Sequence, residues 1–266
     1  MEQLKRMNRN ILLVVEGSVD EQNIFGDVFS KYGFNTIVSD QKMEIEGVGQ
    51  FEKFEYSLNS NNVAIIQGPR NRVHDFLRLF NEKEMSIEKA FSYAYAFFSG
   101  IFLIYDVDHN DCEDIEEMYR RFSDESTGML LLSSPCLEVV ADYNRDRKEE
   151  KYIHLSEYKK DLNNYYNGQT KAIIKSRFED FMLFFLDKNY ADFKESNIME
   201  HPRLIVQSIN SLNDRVNCEN KKESYVLYRY FSTVMYVAIA YANGLTKEID
   251  NYCDVREFFL SKKATS

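Results

Sequence analysis

Apolar residues fall in two rhythms along this chain. Up to about residue 143, short unbroken apolar runs alternate with stretches in which apolar residues recur every three or four positions. Runs of the first kind predict strands over Ile11–Glu16, Phe34–Ser39, Val63–Gln67, Gly100–Asp106 and Gly128–Ser133. They are rich in Val, Ile, Leu and aromatics, as strands buried on both faces are. The second kind predicts helices over Val19–Tyr32, Arg72–Phe80, Ile87–Phe98 and Cys112–Phe122. Strand and helix in alternation signal parallel α/β winding, an open parallel sheet flanked by helices.

Past residue 144 the rhythm changes. The segment Asn144–Lys151 holds no strongly apolar residue, so it reads as a loop or a solvated helix end. The remaining residues predict helices over Phe178–Leu186, Pro202–Asn213, Tyr225–Ala242 and Ile249–Leu260, with Pro202 in a first turn and Asn243-Gly244 as a stop. The chain therefore divides into an α/β part, residues 1–143, and an α-helical C-terminal part, residues 144–266, with no Gly/Pro/Ser linker between them. Tyr225–Ala242 is the stretch closest to a membrane span, but Arg229 interrupts it and Tyr, Ser and Thr dilute it. A buried helix, with no membrane contact, is the expectation.

Composition narrows the function classes. An apolar content of 44% with 20 Phe and 18 Tyr supplies ample area for a core and excludes a disordered chain. Thirty-three basic residues against 43 acidic ones leave a net charge of -10, which excludes gripping nucleic acid by bulk charge. The cysteines at 112, 136, 218 and 253 form no C-x-x-C pair and no regular framework. Together with an N-terminus lacking the order of a signal peptide, they point to a reduced, cytoplasmic protein.

Candidate chemistry concentrates at strand ends. Glu16 ends the first strand and Gly17 permits a tight turn; Ser18-x-x-Glu21 has the form of a capping box, giving Glu21 a structural task. Asp20 is left for either of two roles, a first-turn acid favoured by the helix dipole or a metal ligand. Asp106 and Asp108 flank one residue, so in extended backbone both carboxylates point to the same side. Such a D-x-D pair can hold a hard cation such as Mg²⁺ through oxygen, or open a polar turn. Glu138 comes after Ser134 and Pro135, read as a cap and a first helical residue, and lies one position beyond where capping would use it. It either faces solvent or needs a cation or donor. Gly68-Pro-Arg70-Asn-Arg72-Val-His74 comes directly after a strand and offers Arg70, Arg72 and His74 as a phosphate clamp, or as a solvated helix start. No G-x-x-x-x-G-K-[ST] or Gly-x-Ser-x-Gly is present, which excludes a P-loop ATPase and a serine-hydrolase elbow.

Val15-Glu16-Gly17-x-x-Asp20, Asp106-Val107-Asp108 and Ser133-Ser134-Pro135-Cys136-Leu137-Glu138, in this order, resemble the Toprim domain. The likeness is to its RloB-like and OLD-type nuclease branch of bacterial antiphage systems. It covers residues 11–143, with Ser134 and Leu137 standing where that branch has Asn and Phe. The resemblance implies a Toprim-like sheet and Mg²⁺ (or Mn²⁺) held by Glu16, Asp106 and Asp108, with Asp20 and Glu138 as further ligands. It implies a Mg²⁺-dependent endonuclease acting on tRNA or DNA, a toxic effector of abortive infection. Because the chain has no ATP motif and little bulk positive charge, control by an OLD- or ABC-type ATPase sensor subunit is expected, and assembly into a homo-oligomer would supply basic surface. Two other readings stand beside it: a non-catalytic subunit whose site holds metal or nucleotide, and an interaction module that packs the Tyr225–Ala242 stripe on partners.

Overall fold

In a computed structural model of the chain, the residues described are 10–16, 19–42, 61–68, 77, 98–107, 112–124, 128–134, 136–145, 149–152, 155–193, 226–229, 231–234 and 252–264. Five parallel strands form the centre: β1 (Asn10–Val15), β2 (Phe34–Lys42), β3 (Asn61–Gln67), β4 (Gly100–Asp106) and β6 (Gly128–Ser134). Their order across the sheet is β2-β3-β1-β4-β6, and β5 (Ser123–Asp124) adds an antiparallel edge to β6. From β1 the chain crosses to β2 at one edge, returns to β3 between β2 and β1, and then passes to β4 and β6 on the other side of β1. The order reverses between β1 and β4, where an open parallel sheet forms its crevice beyond the carboxyl ends.

Strands β1, β3, β4 and β6 are buried on both faces. Ile11, Leu13 and Val15 alternate with Leu12 and Val14 along β1, and all five are buried. One face, with Phe102 and Ile104 of β4 and Met129 and Leu131 of β6, packs against Ile24, Phe25, Val28 and Phe29 of α1 (Val19–Lys31). The opposite face includes Leu103, Tyr105, Leu130 and Leu132; α2 (Cys112–Arg121) buries Ile115 and Met118 and packs along β6.

The C-terminal part shares the first of these cores. Helices α3 (Leu155–Tyr165), α4 (Thr170–Ser176) and α5 (Phe178–Phe193) contribute Tyr158, Leu162, Ile174, Phe178, Phe181 and Phe185 to the same buried cluster as α1. Phe25 meets Phe178 edge to face, and the Tyr32 hydroxyl donates to Glu179 Oε1 at 3.3 Å. Helix α6 (Tyr252–Ala264) lies on α5, with Phe259 fully buried and Arg256 paired with Asp187 at 3.0 Å.

The expectation of a wholly helical C-terminal part is corrected by three strands. β7 (Glu149–Tyr152) pairs antiparallel with β8 (Val226–Arg229), and β9 (Phe231–Ser232) pairs antiparallel with the end of β6. The helix expected over Tyr225–Ala242 is therefore replaced, over the described residues 226–229 and 231–232, by strand. Val226, Leu227, Tyr228, Phe231, Thr233 and Val234 are β-branched, aromatic or Leu; β7 gives the first three a ladder and the edge of β6 gives one to the stretch from Phe231, and helical periodicity reveals neither. The Thr233 hydroxyl accepts from Leu132 N–H at 2.8 Å, Thr233 N–H donates to Leu132 O at 2.9 Å, and Ser133 Oγ lies 3.0 Å from Ser232 Oγ. Of the other expected helices, Pro202–Asn213 lies outside the described residues, Leu77 alone represents Arg72–Phe80, and Phe98 alone represents Ile87–Phe98. No helix among the described residues is long and apolar enough to cross a membrane.

Candidate functional site

The carboxyl ends of β1 and β4 meet because the ladder between them is in register to its last rung. Val15 pairs with Ile104, and Glu16 N–H continues the ladder by donating to Ile104 O at 2.9 Å. Glu16 then turns its carboxylate onto the neighbouring strand, where Oε2 accepts the N–H of Asp106 at 2.7 Å. A bond of this length to an ionised acceptor is among the stronger kinds. It fixes the Glu16 side chain against the chain that carries Asp106. Both residues are half-buried at the sheet edge.

On the far side of β4, Asp106 pairs with Ser133 and Val107 N–H donates to Ser133 O at 2.9 Å. The chain leaves β6 at Ser134 and enters a 3₁₀ helix over Leu137–Arg145. This corrects one local expectation: Ser134 is the last residue of the strand, held against Phe231 of β9, and does not cap a helix. Cys136, just before the 3₁₀ turn, and Glu138 within it are brought back to Asp106. One ligand atom from each of Asp106, Cys136 and Glu138 lies within 4.8 Å of the other two. Glu138 does not simply face solvent; its Oε1 is 3.4 Å from Lys159 Nζ of α3.

Electrostatics differ within this group. Cys136 is fully buried, and its thiol is pushed well above the ordinary range by burial first and then by the carboxylates of Glu138 and Asp106. A thiol held in its protonated form is a poor ligand for zinc, which binds thiolate. The oxygens of Asp106, Glu138 and the adjacent Glu16 are the donors a hard cation such as Mg²⁺ or Mn²⁺ takes. The donor set therefore fits a hard divalent cation better than a thiophilic one. Tyr105, next to Asp106 on the opposite face of the sheet, is pushed up in the same way, by burial and then by the Glu16 and Glu21 carboxylates. Its hydroxyl lies over Gly68, where a Cβ would approach it to 2.8 Å. Glycine is required there by that close approach, just after Gly68 N–H has donated to Val15 O at 2.8 Å.

The remaining expected site residues divide by position. Asp20 is the second residue of α1, with its side chain outside the described residues, as is Ser18 of the expected capping box. Asp108, Arg70, Arg72 and His74 all lie outside them too. Two members of the cluster carry no clear signal of their role in sequence. Cys136 stands inside the Ser-x-Pro-Cys-x-Glu stretch, but nothing there assigns it a task. Lys159 lies in the helical part, on a helix that the residue pattern does not predict, and only the tertiary packing of α3 brings it to Glu138.

Comparison of the chain with protein-family models, with curated proteins and with solved structures found no match.

Proposed function

We propose that the chain is a Mg²⁺- or Mn²⁺-dependent, Toprim-like endonuclease that hydrolyses phosphodiester bonds in tRNA or DNA. The observation that carries the reading is the meeting of Glu16 and Asp106 at the reversal point of the sheet, joined by a 2.7 Å hydrogen bond, with Glu138 folded back onto Asp106. The carboxylates of Asp106 and Glu138 gathered at this edge repel one another, and Glu16, held on Asp106 N–H, adds a further negative charge beside them; such an arrangement is sustained by opposite charge. In this reading Asp106, Glu138 and Glu16 hold the cation, with Asp20 and Asp108 as candidates to complete the shell. The cation, when bound, supplies positive charge to a phosphoryl oxygen and acidity to a water molecule.

The chain's own groups have separate tasks. Glu16 is anchored by Asp106 N–H, so its carboxylate is oriented before any ligand arrives; in this reading it would accept a proton from the attacking water. Cys136, buried and protonated, fills the floor of the cluster and presents a weak donor to Glu138. Lys159 balances part of the acidic charge. Arg70, Arg72 and His74 are the proposed phosphate clamp. A net charge of -10 leaves the isolated chain with weak expected affinity for nucleic acid. That supports a role as an abortive-infection effector controlled by an ATPase sensor subunit or made competent by homo-oligomer assembly.

The test is direct. Purified protein is incubated with plasmid, single-stranded DNA and total tRNA, with and without Mg²⁺ or Mn²⁺, over a salt series. Cation-dependent cleavage that is lost in Asp106→Asn supports the reading. Cation binding with no cleavage of any substrate, alone or with a cognate ATPase, favours the non-catalytic binding subunit instead.

A further inference from the structure

We infer that Lys159 is a tethered counter-ion of the carboxylate cluster, occupying in the cation-free protein a position against Glu138 that a divalent cation takes over. The inference rests on the metal-site reading above and concerns how that site is regulated. Its basis is geometric. Lys159 Nζ lies 3.4 Å from Glu138 Oε1, and Glu138 is one of the three residues whose ligand atoms lie within 4.8 Å of one another. The ammonium is carried by α3, whose Tyr158 and Leu162 are fully buried in the core, so the helix backbone is fixed while the long side chain can swing. Lys159 keeps 42% of its side chain exposed and Glu138 27%, which leaves both water and the ammonium room to move.

A carboxylate cannot give its lone pairs fully to an ammonium and to a divalent cation in the same place, and two cations side by side repel. Cation entry therefore has to displace Lys159, and the cost of that displacement lowers the affinity of the site. In exchange, the cation-free protein is spared an uncompensated group of acids. Lys159 thus offsets part of the acidic charge at the edge, and the displaced ammonium becomes available to an anion that arrives with the cation. Linkage makes the effect reciprocal: whatever draws Lys159 away from Glu138 tightens the cation, and the cation frees Lys159.

The experiment measures Mn²⁺ binding to the full-length protein by titration calorimetry and by the paramagnetic signal of free Mn²⁺, neither of which needs catalytic turnover. Four proteins are compared: wild type, Lys159→Met, Lys159→Arg and, as a control for bulk charge, Lys160→Met at the exposed neighbouring position. Removing one positive charge from beside a divalent ion at a water-exposed site is expected to tighten binding on the order of tenfold. Lys159→Arg and Lys160→Met should stay close to wild type. Lys159→Met should also melt lower than wild type without cation and gain more from saturating Mn²⁺. Unchanged or weaker binding in Lys159→Met, with wild type binding normally, overturns this inference alone, as does equal tightening in Lys160→Met. Failure of both wild type and Lys159→Met to bind Mn²⁺ overturns the metal reading of the site and this inference with it.

Discussion

Glu16 is the residue at which charge and structure pull in opposite directions. Repulsion from Asp106 predicts that removing its charge stabilises the fold, by at most about 1 kcal/mol for neighbouring unit charges in a water-like dielectric. The hydrogen bond from Asp106 N–H to Glu16 Oε2 predicts the reverse. Bonds to charged groups contribute about 1.5–3 kcal/mol when buried, and the half-buried edge brings this nearer to about 1 kcal/mol because water can replace the lost acceptor. Glu16→Gln separates the two effects: its amide oxygen still accepts the N–H while the charge is gone. Glu16→Ala loses both. Glu16→Gln should therefore match or slightly exceed wild-type stability, and Glu16→Ala should fall about 1 kcal/mol below Glu16→Gln, a gap of roughly 2–4 °C in melting temperature for a chain of this size. Both variants should lose Mn²⁺ affinity on the order of tenfold or more, since each removes one negative charge from the cluster. The assays are thermal and urea denaturation without cation, then Mn²⁺ titration. Identical melting of the two variants would refute the structural role given to the hydrogen bond, and wild-type Mn²⁺ affinity in both would remove Glu16 from the cation site.

Packing, exposure and ion pairing set four further outcomes. Gly68→Ala places a Cβ 2.8 Å from the hydroxyl of fully buried Tyr105, so it should cost about 1–3 kcal/mol. Adding Tyr105→Phe should recover part of that loss in a double-mutant cycle, and strict additivity in urea denaturation would refute the clash. Cys253 is exposed whereas Cys136 is buried with its thiol held protonated, so a thiol reagent at pH 8, with peptide mapping afterwards, should label Cys253 in the native protein and Cys136 only on unfolding. Comparable labelling rates would contradict that burial. Phe259→Ala should destabilise by about 3–5 kcal/mol, since it empties a fully buried site between α6 and α5. Arg256→Ala, which breaks a half-exposed ion pair with Asp187, should cost at most about 1 kcal/mol by the same denaturation assay.

The central strands were legible because burial on both faces writes itself into sequence as an unbroken apolar run. Gly100–Asp106 is observed as expected, and Ile11–Glu16, Val63–Gln67 and Gly128–Ser133 each differ from the observed strand by two residues or fewer at an end. Glu16 and Asp106 stood out for the related reason that a carboxylate directly after such a run has to emerge at the sheet edge. Where structure depends on a distant partner, the pattern was silent. β9 has two residues and exists because β6 has an open edge near its end, and Phe231-Ser232 alone carries no periodicity to read. β7, Glu149-Glu150-Lys151-Tyr152, is almost wholly charged and takes extended form only by pairing with β8. Lys159 was invisible for the same cause: nothing in its local sequence distinguishes it from Lys160, and the fold alone decides which of the two meets Glu138.

These late-sequence contributions change what the site is. The carboxylates of β1 and β4 are set by the first half of the chain. Glu138 reaches Asp106 through a 3₁₀ turn that begins three residues beyond the end of β6, and the end of β6 is held by Ser232 and Thr233 from far along the sequence. Val139 and Val140 of that turn are buried in the core that Phe181 and Phe185 of α5 complete, and α3 in turn supplies the ammonium that faces Glu138. Position and ion pairing of Glu138 thus depend on segments after residue 144, while Glu16 and Asp106 are joined within the sheet. A perturbation confined to β9, such as Thr233→Val, removes the hydroxyl that accepts Leu132 N–H yet leaves the Glu16–Asp106 bond in place. The physical division within the cluster therefore runs between its sheet-borne acids and its turn-borne acid, and the C-terminal segments act on the second.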